Sequence, residues 1–95
     1  MRFLPRLKLV LSKQFKKDLK QAKKRGLRLE KLHAVIDKLA SQKPLEDKYR
    51  DHGLTGNYRE FRECHVEPDW LLIYRIENDE LALFLFRTGS HSDLF

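Results

Sequence analysis

Several things are scarce in this chain, and each scarcity removes a class of protein. There is one cysteine, Cys64, so no internal disulfide can form, and the thiol content fits a reducing cytoplasm. No apolar run approaches the ~20 residues that span a bilayer. The opening stretch MRFLPRLKLVLSKQF is interrupted by Pro5, Arg6 and Lys8, which argues against a signal peptide. Gly53, Gly56 and Gly89 stand in no pattern that cradles a phosphate. Cys-x2-Cys and His-Glu-x-x-His are both missing. The neighbours Cys64 and His65 would face opposite sides of a strand, so no metal site and no Cys–His nucleophile is expected; Cys64 reads as core. Neither repeats nor low-complexity segments divide the 95 residues, which are expected to form a single domain over 1–95.

What is present is charge, unevenly placed. Twenty Lys and Arg against fourteen Asp and Glu leave a net +6. Residues 1–26 hold ten of the basic side chains and one acid, Asp18, a balance of +9; the remainder of the chain is −3. A concentrated positive segment attracts polyanions such as nucleic acid or an acidic protein partner, although a lysine-rich helix can also be nothing more than a solvated face.

Periodicity organises the rest. Arg6–Ser12 reads as a short strand. Ser12 is placed to cap a helix over Lys13–Arg25, with a narrow apolar stripe at Phe15, Leu19 and Ala22, and Gly26 is a suitable terminator. A second helix, Leu29–Ser41, carries Leu32, Val35, Ile36, Leu39 and Ala40 on one face and cannot pass Pro44. Turn formers fill Gln42–Tyr58. Three extended runs follow: 58–66, alternating, with Phe61, Glu63 and His65 on one face; Trp70–Ile76, nearly all apolar and so a central strand; and Leu81–Arg87. The expected fold is α+β, in the order β-α-α-β-β-β, with a two-helix hairpin packed on an antiparallel sheet.

The histidines carry the chemistry. His33 lies in the second helix and is expected to face solvent without a role. His52, His65 and His91 fall in a loop, at a strand end and in the tail after a strand, where sites are usually built. The turn joining His65 to Trp70 and the emergence of Arg87 and Gly89 beside it would let His65, Asp69 and His91 share a cleft, with the His52 loop folded over it. Paired imidazoles serve as base and acid near neutral pH. RNA supplies its own nucleophile, the 2′-hydroxyl, and the phosphorane it forms needs a cation such as Arg87. Tyr58, Trp70 and Phe95 could stack on unpaired bases, and the basic first half would hold phosphates.

Taken together, YRDHGLTGNYREFRECHVEPDWLLIYRI and FRTGSHSDLF closely resemble the YafQ branch of the RelE/ParE superfamily, the toxins of bacterial type II toxin–antitoxin modules. The match is strongest over Tyr49–Phe95; the N-terminal helices resemble the family in length and basic character. The resemblance implies a RelE-like fold and a ribosome-dependent endoribonuclease. Such an enzyme cuts mRNA in the A site of the 70S ribosome, uses no metal or other cofactor, and leaves a 2′,3′-cyclic or 3′-phosphate and a 5′-hydroxyl. It also implies active-site status for His52, His65, Asp69, Trp70, Arg87, His91 and Phe95. Within that reading His91 is a general acid or base, with His52 and His65 as its partners and Asp69 orienting a ring. Arg87 stabilises the phosphorane, and Phe95 or Trp70 holds the base. Lys13, Lys16, Lys17 and Lys20 are expected to bind substrate phosphates. The implied partner is a ribbon-helix-helix antitoxin whose acidic, partly disordered segment covers residues 1–26 and through which alone operator DNA is bound. The expected location is the bacterial cytoplasm, away from membranes. Two other readings stand beside this one: a non-catalytic RNA- or ribosome-binding module, and a ParE-like gyrase inhibitor.

Overall fold

The computed structural model describes residues 4–95; Met1–Phe3, including Arg2 of the basic stretch, lie outside the described residues. The chain runs β1 (Lys8–Leu11), α1 (Lys13–Lys24), α2 (Leu29–Ala40), β2 (His52–Gly53), β3 (Arg62–Glu67), β4 (Trp70–Glu77), β5 (Ala82–Gly89) and α3 (His91–Leu94), with single 3-10 turns at Asp47–Tyr49 and Gly56–Tyr58. The helix limits follow the local chemistry. Ser12 Oγ accepts the backbone N–H of Phe15 at 2.9 Å and donates to the carbonyl of Phe86 at 2.7 Å, so one hydroxyl both caps α1 and ties it to β5. Lys23 and Lys24 occupy its last turn, where the helix dipole favours cations. Gly26 then takes φ +76°, a left-handed conformation that ends the helix at little cost.

One sheet is formed, in the order β1-β5-β4-β3-β2. The antiparallel expectation holds for β3 through β5; the stretch expected to be loop adds the two-residue strand β2, antiparallel to β3, and β1 joins the other edge parallel to β5, with Lys8 opposite Ala82 and Leu11 opposite Leu85. The physical reason is parity. The two helices of the hairpin return the chain to the end of the sheet at which β1 finished, and four alternating strands, β2 to β5, then leave β5 running the same way as β1. The sheet is therefore mixed. Leu72 and Tyr74 of β4, Cys64 of β3, and Leu83 and Leu85 of β5 pack against Phe15, Leu32, Val35 and Leu39 of the helices. Leu71 and Ile73, at the alternate positions of β4, are buried as well, which makes β4 the apolar central strand that its composition foretells. Cys64 is fully buried, and burial pushes its thiol up to about 12, so it is an inert core group. No helix among the described residues is long and apolar enough to cross a membrane.

Candidate active site

Strand register does most of the assembly. In β2–β5 His52 lies opposite Glu63, Glu63 opposite Ile73, and Ile73 opposite Arg87. The next row places His65 opposite Leu71 and Leu71 opposite Gly89. From Gly89 the chain turns into α3, so His91 emerges beside His65. The ring centroids of His65 and His91 are 5.7 Å apart, and those of His52 and His65 are 6.4 Å apart. Three imidazoles from distant stretches of sequence thus line one short path.

Each ring is held in the same way. His52 Nδ1 is 2.7 Å from the carbonyl of Arg50, His65 Nδ1 is 3.2 Å from that of Pro68, and His91 Nδ1 is 2.6 Å from Asp69 Oδ1. A carbonyl or carboxylate oxygen can only accept, so Nδ1 carries the proton in all three. His65 and His91 therefore keep Nε2 as the reactive atom, while Nε2 of His52 faces a carboxylate. Asp69 also accepts the backbone N–H of His91 at 2.9 Å, and these two bonds from His91 hold its carboxyl below the usual carboxylate range. That grip is complete above the ordinary Asp value of about 3.9 and is lost only as pH falls through the lower folded value.

Glu63 went unnamed among the candidates. It is 7% exposed, its Oε2 lies 3.2 Å from His52 Nε2, and its donor atoms and those of His65 and His91 all fall within 4.8 Å of one another. Strand alternation puts it on the histidine face. Asp18 was also missed. The single acid of the basic segment sits three residues from Phe15 and four from Ala22, on the apolar stripe itself. It points inward, accepting Arg87 Nε at 2.9 Å, Arg87 Nη2 at 3.2 Å and the buried Thr88 N–H at 3.1 Å. That pairing raises the Arg87 pKa and fixes the plane of the guanidinium.

Trp70 is a correction. It is 2% exposed, and its indole N–H donates to Thr88 Oγ1 at 2.9 Å. A ring shut inside the core presents no face to a base; it supports the β4–β5 pairing beneath the site instead. The exposed aromatic rim is made by Tyr58 and Phe95, in edge contact at 6.2 Å between centroids. Lys13, Lys16, Lys17 and Lys20 are exposed on the solvent side of α1.

The four-residue helix α3, which carries His91 and Phe95, is docked by a capping box between Ser90 and Asp93 and by a two-pronged contact from Arg25 to Asp93. These bonds hold the Asp93 carboxyl well below the usual range. Docking requires a close approach at Gly89, where an added Cβ would meet Asp93 Cβ at 3.0 Å and Oδ2 at 3.1 Å. Gly89→Ala is therefore expected to displace α3 and cut the cleavage rate by about a hundredfold, as misplacing a catalytic group by about an ångström does. Single-turnover rates compared with thermal unfolding would show the loss of rate exceeding any loss of stability.

Comparison with known proteins identifies the family and the fold. Residues 7–95 match the family described as the bacterial toxin of type II toxin–antitoxin systems, YafQ. The mRNA interferase toxin YafQ of Escherichia coli strain K12 is 44% identical over 85 residues, spanning 88% of this chain and 90% of that protein. A metal-bound toxin from Helicobacter pylori superposes with a TM-score of 0.89 at 50% identity, over 94% of this chain and 99% of that one. The toxin of the E. coli DinJ–YafQ toxin–antitoxin complex does so with a TM-score of 0.85 at 38% identity, over 95% and 98%.

Proposed function

This chain belongs to the YafQ family of bacterial type II toxins, and from that premise we propose that it is a ribosome-dependent endoribonuclease that cleaves mRNA in the ribosomal A site by imidazole acid–base catalysis. One observation carries the mechanism: three rings on one path each give Nδ1 to an oxygen, with Nε2 of His65 and His91 turned to the substrate and Nε2 of His52 beside Glu63.

His91 Nε2 takes the proton of the 2′-hydroxyl, and Asp69, at its other nitrogen, stabilises the imidazolium as it forms. The 2′-oxygen attacks the adjacent phosphorus and the bond to the 5′-oxygen breaks. His52, with Nδ1 at the carbonyl of Arg50 and Nε2 beside Glu63, supplies the proton to the departing 5′-oxygen. A 2′,3′-cyclic phosphate and a 5′-hydroxyl result, and water returns each ring to its starting state. His65 lies between the two, its ring centroid 6.4 Å from that of His52 and 5.7 Å from that of His91. Arg87 spends Nε and Nη2 on Asp18, which leaves Nη1 for the phosphorane. Tyr58 and Phe95 hold the unstacked base, and the α1 lysines add attraction for the phosphate backbone.

E. coli YafQ is solved with DinJ. An antitoxin of comparable kind, contributing an acidic segment to the basic residues 1–26 and contacting operator DNA itself, is the partner proposed here.

Glu63, His65 and His91 also fit a metal. One carboxylate and two imidazoles at this spacing suit a borderline ion such as Cu2+, the tightest bound of the divalent first-row series. An ion there would occupy Nε2 lone pairs that proton transfer requires. Stoichiometric Cu2+ is accordingly expected to suppress cleavage, and EDTA to restore the rate without ever lowering that of untreated protein; titration against mRNA bound to 70S ribosomes measures both.

Inducing the chain in bacteria and mapping mRNA ends by primer extension tests the function. New ends in phase with the reading frame, missing when His91 is replaced by Ala, are expected. Growth and translation left untouched by the wild-type chain would contradict it.

A further inference from the structure

A cavity of about 670 Å3 lies beside the histidine path, with His65 in its wall. Lys31, Lys48, Tyr49, Arg50, His65 and Glu67 contribute to its walls. Its volume is that of a small-ligand site. Lys31 and Glu67 neutralise one another at 2.6 Å. Lys48 lies 5.1 Å from the centre of the Tyr49 ring, and neither it nor Arg50 forms an ion pair among the described residues. The cavity is therefore left with two cations and an aromatic ring.

Arg50 is unusual in a second respect. Its backbone is left-handed, at φ 48° and ψ 44°, a conformation that Gly or Asn adopts at lower cost. That turn aims its carbonyl at His52 Nδ1. A long cationic side chain stands where backbone geometry alone would favour a small residue. The cavity is thus bounded on one side by His65 and on the other by the residue that holds His52, so anything filling it is continuous with a strand lying across the histidines.

We propose that this cavity is a subsite for the RNA nucleotide next to the scissile bond, with Lys48 and Arg50 binding its phosphodiester. The assignment rests on the RNA-cleaving reading above. An acidic protein segment has complementary charge too, but no reason to run on into the histidine path, whereas the substrate strand must pass that way.

Affinity for a fluorescein-labelled single-stranded RNA oligonucleotide, measured in a cleavage-dead His91→Ala background across a range of salt, tests this. Lys48→Gln and Arg50→Asn, the latter chosen because Asn tolerates the left-handed turn, should each weaken binding about tenfold, the equivalent of one charge-assisted hydrogen bond. Each should also flatten the log–log salt slope by about 0.7, as expected per phosphate contact on a single strand. Lys43→Gln, at a residue that does not line the cavity, should change neither. Unchanged affinity and slope in Lys48→Gln and Arg50→Asn would overturn the subsite and leave the proposed function standing. Weakened antitoxin binding with RNA binding intact would overturn it too, by giving the cavity to the partner. If the parent bound no RNA at any salt, the subsite would be contradicted, while cleavage that depends on the ribosome would still stand.

Discussion

Replacing His91 by alanine is expected to slow RNA cleavage by about 10²- to 10⁴-fold, the range that a positioned general acid or base supplies, with almost no change in stability. The asymmetry follows from what His91 touches. Its side chain is 55% exposed, and its ring bonds Asp69, which is itself exposed. The bonds that shape α3 come from other groups: Ser90 and Asp93 cap it, Arg25 clasps Asp93, and the backbone carbonyl of His91 accepts from Phe95 whatever the side chain. Surface changes of this kind usually fall within about 0.5 kcal/mol. His91→Gln sharpens the test, because an amide can still hydrogen-bond to RNA but cannot take the 2′-proton. Single-turnover kinetics with equilibrium urea unfolding should show both variants folded and both nearly inactive.

Removing the Asp18 carboxylate should act the other way, on stability first. Asp18→Ala leaves the Thr88 N–H buried without a partner and frees Arg87, whose side chain is 26% exposed. Breaking a buried charge pair from one side costs about 3–5 kcal/mol, and the partial hydration of Arg87 discounts that to about 2–3 kcal/mol. In a domain of this size the melting temperature should drop by roughly 10–20 °C. Activity should fall as well below the transition, since a guanidinium released from Asp18 loses its fixed plane. Asp18→Asn should lie between wild type and Asp18→Ala, keeping an acceptor for Thr88 but no charge for Arg87. Thermal scans followed by cleavage assays well below each transition separate the two effects.

Much of the frame is legible in particular residues. Ser12, Gly26 and the stripe through Phe15, Leu19 and Ala22 mark α1 to within a residue, and the unbroken apolarity of Trp70–Ile76 marks the central strand, because caps and periodicity are local properties. His52, His65, Asp69 and His91 are brought together as their placement at strand ends suggests. Other features depend on contacts that no local pattern encodes. The parallel edge pairing of β1 is a matter of overall direction, and β2 is two residues long. Trp70 resembles a stacking residue in a motif, yet its rotamer turns it into the core. Asp18 looks like one more charge on a solvated helix until its place on the apolar stripe is counted. Glu63 shares the face of His65 by alternation, but its contact with His52 exists only through the pairing of β2 with β3.

That Nε2 atoms of converging imidazoles pass a proton from the ribose hydroxyl to the departing oxygen is most directly tested by the chemistry of the cut ends. Mass spectrometry of the fragments should find a 2′,3′-cyclic phosphate on one and a 5′-hydroxyl on the other, and a single 2′-deoxy substitution at the cut position should leave the RNA whole. Efficient cutting of the deoxy-substituted strand, or fragments bearing 5′-phosphates, would contradict the account.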